Sequence, residues 1–224
     1  MAQPAHDMDP AGKAPVAWLA RPETPEPLRM AGSVIHLGEG RAVFAEGSEA
    51  QSFYKVVSGV VRVCKLLNDG RRQIEAFHVA GDVFGFELGR EHSLTAEAVN
   101  DCVLVAYRRR IVEALAQKDC KVGQQLFRFA VENLSRAQHH ALLMGRRGAM
   151  EKVASFLLGW ATQFGAAKLI PLAMTRQDIA DYLGLTIETV SRSLSQLERE
   201  GVIALPGIRE VRLNSHEALE ALAA

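Results

Sequence analysis

The residues with the clearest chemical meaning lie near the carboxyl end of the chain. Residues 186–198 predict one amphipathic helix with Glu188, Ser191 and Arg192 on a single exposed face. An arginine can donate to both acceptors on a guanine edge, and a glutamate can accept from the amino group of cytosine. Just before it, residues 175–185 predict a short helix that ends at a glycine. Two helices joined by such a turn are typical of a DNA-binding helix-turn-helix.

The alternative for these polar residues is a solvated helix face without function. The charge balance favours this alternative, since the chain carries 26 basic and 26 acidic residues. Between residues 174 and 213 there are five arginines against six acidic residues. DNA contact must therefore depend on local geometry rather than on a broad basic field. The turn, the helix caps and the wing described below nevertheless favour DNA binding.

The composition predicts a cytoplasmic, non-enzymatic globular chain of 224 residues. No apolar run approaches the length of about 18 residues typical of a membrane span, and no secretory signal is visible. Three cysteines, Cys64, Cys102 and Cys120, are scattered without metal-ligand spacing, which indicates reduced thiols and no metal site. There is no nucleophile elbow and no phosphate-binding glycine loop, so an enzymatic function is not expected.

The pattern along the chain predicts an α+β fold with an ordered series of parts. Residues 1–30 contain six of the eight prolines and predict a flexible segment, with a short docked piece around residues 16–19 as an alternative. Residues 31–118 contain short apolar runs and nine of the 18 glycines, a pattern typical of an antiparallel β-roll or barrel. Asn68-Asp-Gly70 predicts a hairpin within this domain.

Helical periodicity then predicts a long helix over residues 119–145. This helix could pack on its own domain or pair with its twin in a second chain. We favour pairing, because polar residues within the stripe can fix the register of a helix pair. The residues expected to lie at this dimer contact are Val122, Leu126, Phe129, Asn133, Arg136, His140 and Leu143.

Residues 149–224 predict a winged helix-turn-helix domain after a hinge at residues 144–148. Two short apolar runs, 202–205 and 210–213, flank a Pro-Gly turn and predict the β-hairpin wing. A final short helix follows Ser215, which is a suitable N-cap.

Three motifs resemble the CRP/FNR family of bacterial transcription regulators. Residues 81–87 are similar to the loop of the family's cyclic-nucleotide-binding-like β-roll. Residues 175–184 and 188–192 are similar to its helix-turn-helix, and the order of domains agrees over nearly the full length. The Glu-x-x-Ser-Arg pattern with Ile187 before it resembles the FNR and FixK branch rather than the cyclic-AMP receptor branch.

The resemblance implies a sequence-specific regulator, an activator, that binds an inverted repeat similar to TTGAT-N4-ATCAA as a homodimer. It implies that Arg192 bonds a guanine, Glu188 the cytosine side and Ser191 a neighbouring thymine. The expected phosphate contacts are Thr175, Arg176, Gln177, Thr186 and Thr189. The expected partners are double-stranded DNA at a palindromic promoter site, a second copy of the chain and RNA polymerase, with no membrane.

The sensor positions differ from the cyclic-AMP-binding branch. In that branch a Gly-Glu pair and an Arg-Ser pair hold the ribose and the phosphate, and we match them to Gly81-Asp82 and His92-Ser93. A histidine lacks the permanent charge and the bidentate fork of arginine, so control by a cyclic nucleotide is not expected. No cysteine precedes Cys64, so the N-terminal iron–sulfur cluster of the FNR protein is not expected either. The chain is thus expected to work without a cofactor, as in the FixK group.

The alternative function is a haem- or small-ligand-gated sensor of the same family, responding to nitric oxide or redox state. Its candidate ligands are His36, His78 and His92, and a Soret absorption band would identify a haem protein. Buried or surface histidines without a ligand are the simpler interpretation.

Overall fold

The computed structural model describes residues 26–165 and 167–223. Residues 1–25, which include the suggested docked piece at 16–19, lie outside the described residues. The helices are α1 (Glu26–Met30), α2 (Arg109–Lys118), α3 (Cys120–Gly145), α4 (Ala149–Thr162), α5 (Arg176–Leu183), α6 (Ile187–Arg199) and α7 (His216–Ala223). The strands are β1 (Gly32–Leu37), β2 (Ala42–Phe44), β3 (Ser52–Ser58), β4 (Val61–Leu66), β5 (Arg72–His78), β6 (Val83–Phe84), β7 (Thr95–Ala98), β8 (Cys102–Arg108), β9 (Leu169–Pro171), β10 (Ile203–Gly207) and β11 (Glu210–Leu213).

The amino-terminal domain is the β-roll that the sequence predicted. Two antiparallel sheets face each other, with strand orders β1-β8-β3-β6 and β2-β7-β4-β5. Alternate residues of the strands point inward and form an apolar core that includes Val56, Val61 and Leu104. The expected hairpin joins β4 to β5, and Gly70 adopts φ +82° at its turn, a conformation that favours glycine.

Residues 26–30 differ from the prediction of a flexible segment that extends to residue 30. They form α1, and the side chain of Leu28 is fully buried against Phe53, Tyr107 and Val112. Burying a leucine side chain contributes roughly 1.5–3 kcal/mol, which is enough to hold one short helical turn on the β-roll.

The long helix α3 packs one of its faces against its own chain. Val122 and Phe129 are buried in a core shared with β3, β8 and α2, whereas Leu143 is buried in the core of the carboxyl-terminal domain. The polar residues of the same face are also bound within the chain. Asn133 donates to the carbonyl of Val83, Arg136 bonds Asp82, and His140 lies 2.9 Å from the carbonyl oxygen of Tyr182.

This placement disagrees with the dimer contact expected from the sequence. All of the residues expected there lie on the face of α3 that packs on its own chain, or along its margin: Val122, Leu126, Phe129, Asn133, Arg136, His140 and Leu143. The physical reason is that α3 has apolar side chains on two faces, and the more polar stripe finds its hydrogen-bond partners on the β-roll and on α5.

The carboxyl-terminal domain is the predicted winged helix. Helices α4, α5, α6 and α7 surround an apolar core that contains Leu157, Ile179 and Leu197. The wing strands β10 and β11 pair with each other, and β9 adds a third strand that the sequence did not indicate. The hydroxyl of Ser215 accepts from the N–H of Ala218 at 3.2 Å, as expected for the N-cap of α7. Among the described residues, no helix combines the length and apolar character needed to cross a membrane.

One buried histidine gives the β-roll a predictable pH dependence. His78 at the end of β5 stacks on Phe84, with 4.9 Å between ring centroids, and its Nδ1 atom has no hydrogen-bond partner. Burial lowers the pKa of His78 to about 4. Because the unfolded chain binds this proton at a pKa of about 6.5, the contribution of His78 to stability is unchanged above that pH and falls as the pH drops toward 4.

We expect the variant His78→Leu to lose less stability than the wild type when the pH falls from 7 to 5. The difference should be about 2 kcal/mol, since Leu fills a similar volume and has no proton to bind in the unfolded chain. Urea unfolding followed by circular dichroism at both pH values measures it, with the exposed His36→Leu as control. An identical loss of stability in His78→Leu and the wild type would contradict the assignment.

Candidate nucleic-acid interface

Helix α6 presents the three residues that the sequence singled out for base contacts. Its inner side is fixed by Val190, Leu194 and Leu197, which are buried in the core of the domain. On the opposite side Glu188 and Arg192 are exposed and lie one helical turn apart, whereas Ser191 beside them is half-buried. The helix therefore offers a carboxylate, a hydroxyl and a guanidinium on one outer face.

The charged groups of this face are positioned to act as ions. Hydrogen bonds from its own backbone N–H and from the Thr186 hydroxyl lower the pKa of Glu188, which keeps this carboxyl an acceptor at neutral pH. The Nε atom of Arg192 donates to the carbonyl oxygen of Glu188 over 3.4 Å, a long contact, and the side chain is exposed. A guanidinium can donate two parallel hydrogen bonds to a planar partner with two acceptors.

Two further residues extend this face and were missed in the sequence. Ser195 and Arg199 follow Glu188 by seven and eleven positions, which places them along the same exposed side of α6. The helical spacing of polar residues was the available signal. Arg199 brings a second positive charge to the far end of the helix.

The residues expected to face phosphates cluster around the amino ends of α5 and α6. Thr175 is the N-cap of α5, where its hydroxyl oxygen accepts from the N–H of Asp178 at 3.0 Å. Arg176 and Gln177 follow it and are both exposed. The amide of Gln177 donates to Asp181 at 2.7 Å, so this side chain already has one partner within its helix.

At the second helix end, Thr186 caps α6 by accepting from the N–H of Thr189 at 3.3 Å. The two threonine hydroxyls lie 3.1 Å apart. Both helix starts therefore expose N–H groups, hydroxyls and the positive end of a helix dipole, which suit a phosphate without a large net charge. Capping accounts for both threonines structurally, and a phosphate contact would be an additional role.

The turn between the two helices depends on Gly184. This residue ends α5 with φ +62° and ψ +39°, and its N–H bonds the carbonyl of Ala180. A β-carbon there would lie 2.7 Å from the terminal methyl carbon of Met144 near the end of α3. The end of the flexible Met144 side chain could shift to admit a β-carbon, so the left-handed turn is what requires Gly184.

A buried ionic cluster joins the first helix of this motif to the β-roll. The Oδ1 atom of Asp178 accepts from Arg62 on β4 at 3.1 Å and from Arg72 on β5 at 2.5 Å. The Oδ2 atom accepts from the N–H and hydroxyl of Thr175 at 3.0 and 2.8 Å. Arg72 also bonds Asp181. One carboxylate therefore caps α5 and fixes it to the β-roll.

The β-roll does not use Asp82 as the sequence match suggested. Asp82 is directed toward α3, where both of its oxygens accept from Arg136. The carboxylate beside Ser93 is instead Glu87, which accepts from the N–H and hydroxyl of Ser93 at 2.9 and 3.0 Å. Several acidic residues precede Ser93 in the sequence, and only the folded chain shows that Glu87 is the one that bonds it.

The interior of the roll at this position is packed with rings. His92 is buried and stacks on Phe44, with 3.6 Å between ring centroids and an angle of 9°. Phe44 in turn packs on Tyr54 and Phe84. The side chain that stands in place of the expected phosphate-binding arginine is therefore part of the core.

The remaining candidate sensor residues occupy different environments. His78 and His92 are both buried beside aromatic rings, whereas His36 is exposed on β1. Cys64 and Cys102 are buried, and burial raises the pKa of both thiols, as for small residues that pack in a core. Cys120 is exposed at the start of α3.

A β-roll, a long helix and a winged helix with an exposed polar recognition face define a DNA-binding regulator with a sensor-like domain. Family models agree with both ends of the chain. A cyclic nucleotide-binding domain matches residues 34–119, and a Crp-like helix-turn-helix domain matches residues 151–222.

Comparisons with individual proteins identify the family and the branch to which the chain belongs. It is 48% identical over 209 residues to the nitrogen fixation regulation protein FixK of Azorhizobium caulinodans, covering 88% of this chain and 84% of that protein. It is 39% identical to FixK of Rhizobium meliloti, covering 88% of this chain and 90% of that protein. The structure of FixK2 from Bradyrhizobium japonicum matches with a TM-score of 0.82 at 42% identity, covering 86% and 98% of the two chains. The chain belongs to the CRP/FNR family and is a transcription regulator of its FixK type.

The ionic cluster at the joint makes a testable contribution to stability. We expect Asp178→Asn to lower the free energy of unfolding by about 2 kcal/mol, because an amide nitrogen cannot accept the bonds that the carboxylate oxygen receives. Urea unfolding at pH 7 measures the change. The control Asp69→Asn alters an exposed carboxylate that pairs with the neighbouring Arg71 and should leave stability unchanged. Equal stability of the wild type and Asp178→Asn would contradict a supporting role for the cluster.

Proposed function

We propose that this regulator binds an inverted DNA repeat similar to TTGAT-N4-ATCAA as a homodimer and activates transcription in the cytoplasm. The observation that carries the proposal is the exposed face of α6, where Glu188, Ser191 and Arg192 lie together while the opposite side is locked in the core. Arg192 bonds guanine with its fork, Glu188 accepts from cytosine, and Ser191 contacts a thymine. RNA polymerase is the partner through which an activator acts.

Phosphate contacts position this face in the major groove. The capped starts of α5 and α6 provide Arg176, Gln177 and the hydroxyls of Thr175, Thr186 and Thr189. Such contacts fix the register of a protein on DNA but carry little sequence information. They also explain how a chain with no net charge can bind DNA, because the amino ends of helices bind anions without a surplus of basic residues.

The proposed dimer forms through the face of α3 that its own chain leaves open. Phe127, Val131, Leu134 and Leu142 are 71%, 46%, 58% and 74% exposed, which is high for large apolar side chains. The first three follow each other at spacings of four and three, the pattern of a seam between paired helices. Two chains related by a twofold axis along this seam would place their two α6 helices on successive turns of DNA.

We further propose that no cyclic nucleotide is needed. In this chain the Glu87 carboxylate already occupies the N–H and hydroxyl of Ser93, where the resemblance places a phosphate. His92 stacks within the core instead of extending a charged fork. A bound phosphate would have to displace a negative charge and open a packed aromatic cluster, and both changes are costly.

Arg192→Ala should weaken binding to the palindrome by roughly 1–3 kcal/mol per half-site, because the contact with guanine is lost.

Glu188→Ala should relax discrimination at the guanine–cytosine pair more than it lowers affinity. Fluorescence anisotropy with single-base variants of the site measures both effects, and Arg110→Ala on exposed α2 is the control. Wild-type affinity in Arg192→Ala would refute the assignment of α6.

Leu134→Glu should dissociate the dimer, since twofold symmetry brings two charges into one apolar seam. Sedimentation velocity at micromolar concentration measures the state of association, and circular dichroism checks that the chain is folded. The control Val34→Glu introduces the same charge at an exposed valine of β1. Phe129→Glu tests folding rather than pairing, because Phe129 is buried within its own chain. A Leu134→Glu dimer as stable as the wild type would place the interface elsewhere.

Added cyclic AMP or cyclic GMP should not raise DNA affinity in freshly purified, ligand-free protein under air. The DNA-binding assay is repeated during titration with each nucleotide. A saturable gain of about tenfold, equivalent to about 1.4 kcal/mol of coupling, would assign the protein to the ligand-gated branch instead.

A further inference from the structure

A cavity of about 600 Å³ lies between the β-roll and the winged helix. Strand β5, the carboxyl half of α3, and helices α4, α5 and α7 contribute to its walls. Aromatic rings dominate the apolar part of the lining, and the ring of Phe77 contacts those of both Trp160 and Tyr182. Cavities of this size between structural units are typical sites for small organic molecules.

Glu75 reaches this cavity from an irregular position in β5. Val63 pairs with Ala76 and the next residue, Cys64, pairs with Ile74, which leaves Glu75 as the extra residue of a β-bulge. Bulges commonly redirect a side chain near a functional site. The Glu75 side chain is half-buried, has no hydrogen bond or ion pair with the described residues, and has a pKa raised by burial.

The positive groups around the cavity are largely paired with other partners. Arg136 bonds Asp82, and Arg146 bonds Glu151 at 2.7 Å. His216 lies 3.5 Å from Glu220 on α7. The Nε2 atom of His140 faces the carbonyl oxygen of Tyr182, and burial lowers the pKa of His140, so this ring is neutral at pH 7. His139 is exposed at the rim. Among the residues that the structure describes, Glu75 is therefore the charged group of the lining without a counter-ion.

We infer that the cavity binds an organic ammonium cation with an aromatic or apolar body, with Glu75 as its counter-ion and Trp160 and Tyr182 as its walls. Ring faces attract cations, and a carboxylate at the end of an aromatic cavity provides the matching charge. Because the walls come from both the β-roll and the winged helix, an occupant stabilises this relative arrangement of the two parts. The site is separate from the α6 face, so it does not depend on the proposed DNA contacts.

The test uses three probes that share a phenyl-alkyl body and differ in charge: 2-phenylethylammonium, 2-phenylethanol and 3-phenylpropionate. Isothermal titration calorimetry with the full chain, without DNA, measures the affinity of each probe. We expect saturable binding of the cation at one site per chain, with the alcohol and the carboxylate at least tenfold weaker. Glu75→Gln should reduce the affinity for the cation to that for the alcohol. The control Glu91→Gln alters an exposed glutamate of the same domain and should leave it unchanged.

A second variant obstructs the cavity without altering its charge. Gly159 on α4 lines the cavity, and a β-carbon added there meets no atom within 4 Å, so Gly159→Leu fits the helix and extends into the open space. Binding of the cation should be lost while circular dichroism is unchanged. Equal affinity for cation and anion, wild-type affinity in Glu75→Gln or Gly159→Leu, or no saturable binding of the cation would each overturn the inference. A parallel DNA-binding assay on the same samples shows separately whether the proposed DNA function holds.

Discussion

The ion pair between Asp82 and Arg136 joins the two halves of the molecule through the long helix. The Asp82 side chain is only 1% exposed, and both of its oxygens accept from the guanidinium of Arg136. A carboxylate buried this deeply is costly without its partner, so the pair holds the middle of α3 firmly on the loop before β6. Asn133 reinforces the contact one turn earlier by donating to the carbonyl of Val83 at 2.9 Å.

The position of α3 then determines the position of the helix-turn-helix. Toward its carboxyl end α3 meets α5, where His140 stacks on Tyr182 with 4.1 Å between centroids, and Met144 lies against Gly184. One turn earlier on α5, Arg62 and Arg72 hold Asp178 from the β-roll. The helix-turn-helix is thus supported both by α3 and by the β-roll, through contacts within one chain. The interior of the roll is filled by its own rings, and at the surface Glu87 accepts from Ser93. Both contacts support the proposal that this chain needs no nucleotide.

Local signals in the sequence were sufficient to predict the order of the domains and the helix-turn-helix. The short helix that ends at the glycine at position 184 and the second helix after it are short-range features, and the structure confirms both. Contacts between residues far apart in the sequence could not be predicted in the same way. Helix α3 carries apolar residues on two sides, so periodicity alone could not tell the inward stripe with Phe129 from the outward stripe with Leu134. Likewise, Asp82, Glu87 and Glu91 all lie shortly before His92, and only the path of the loop decides that Glu87 meets Ser93.

Our central proposal is that the ligand-free chain is a dimer already arranged to bind a palindrome. Selection of bound sequences from random double-stranded DNA with purified, ligand-free protein tests it most directly. We predict enrichment of two TTGAT-like half-sites as an inverted repeat with a fixed spacing of four base pairs, as implied by the family resemblance. Enrichment of single half-sites, of direct repeats or of no sequence at all would contradict it.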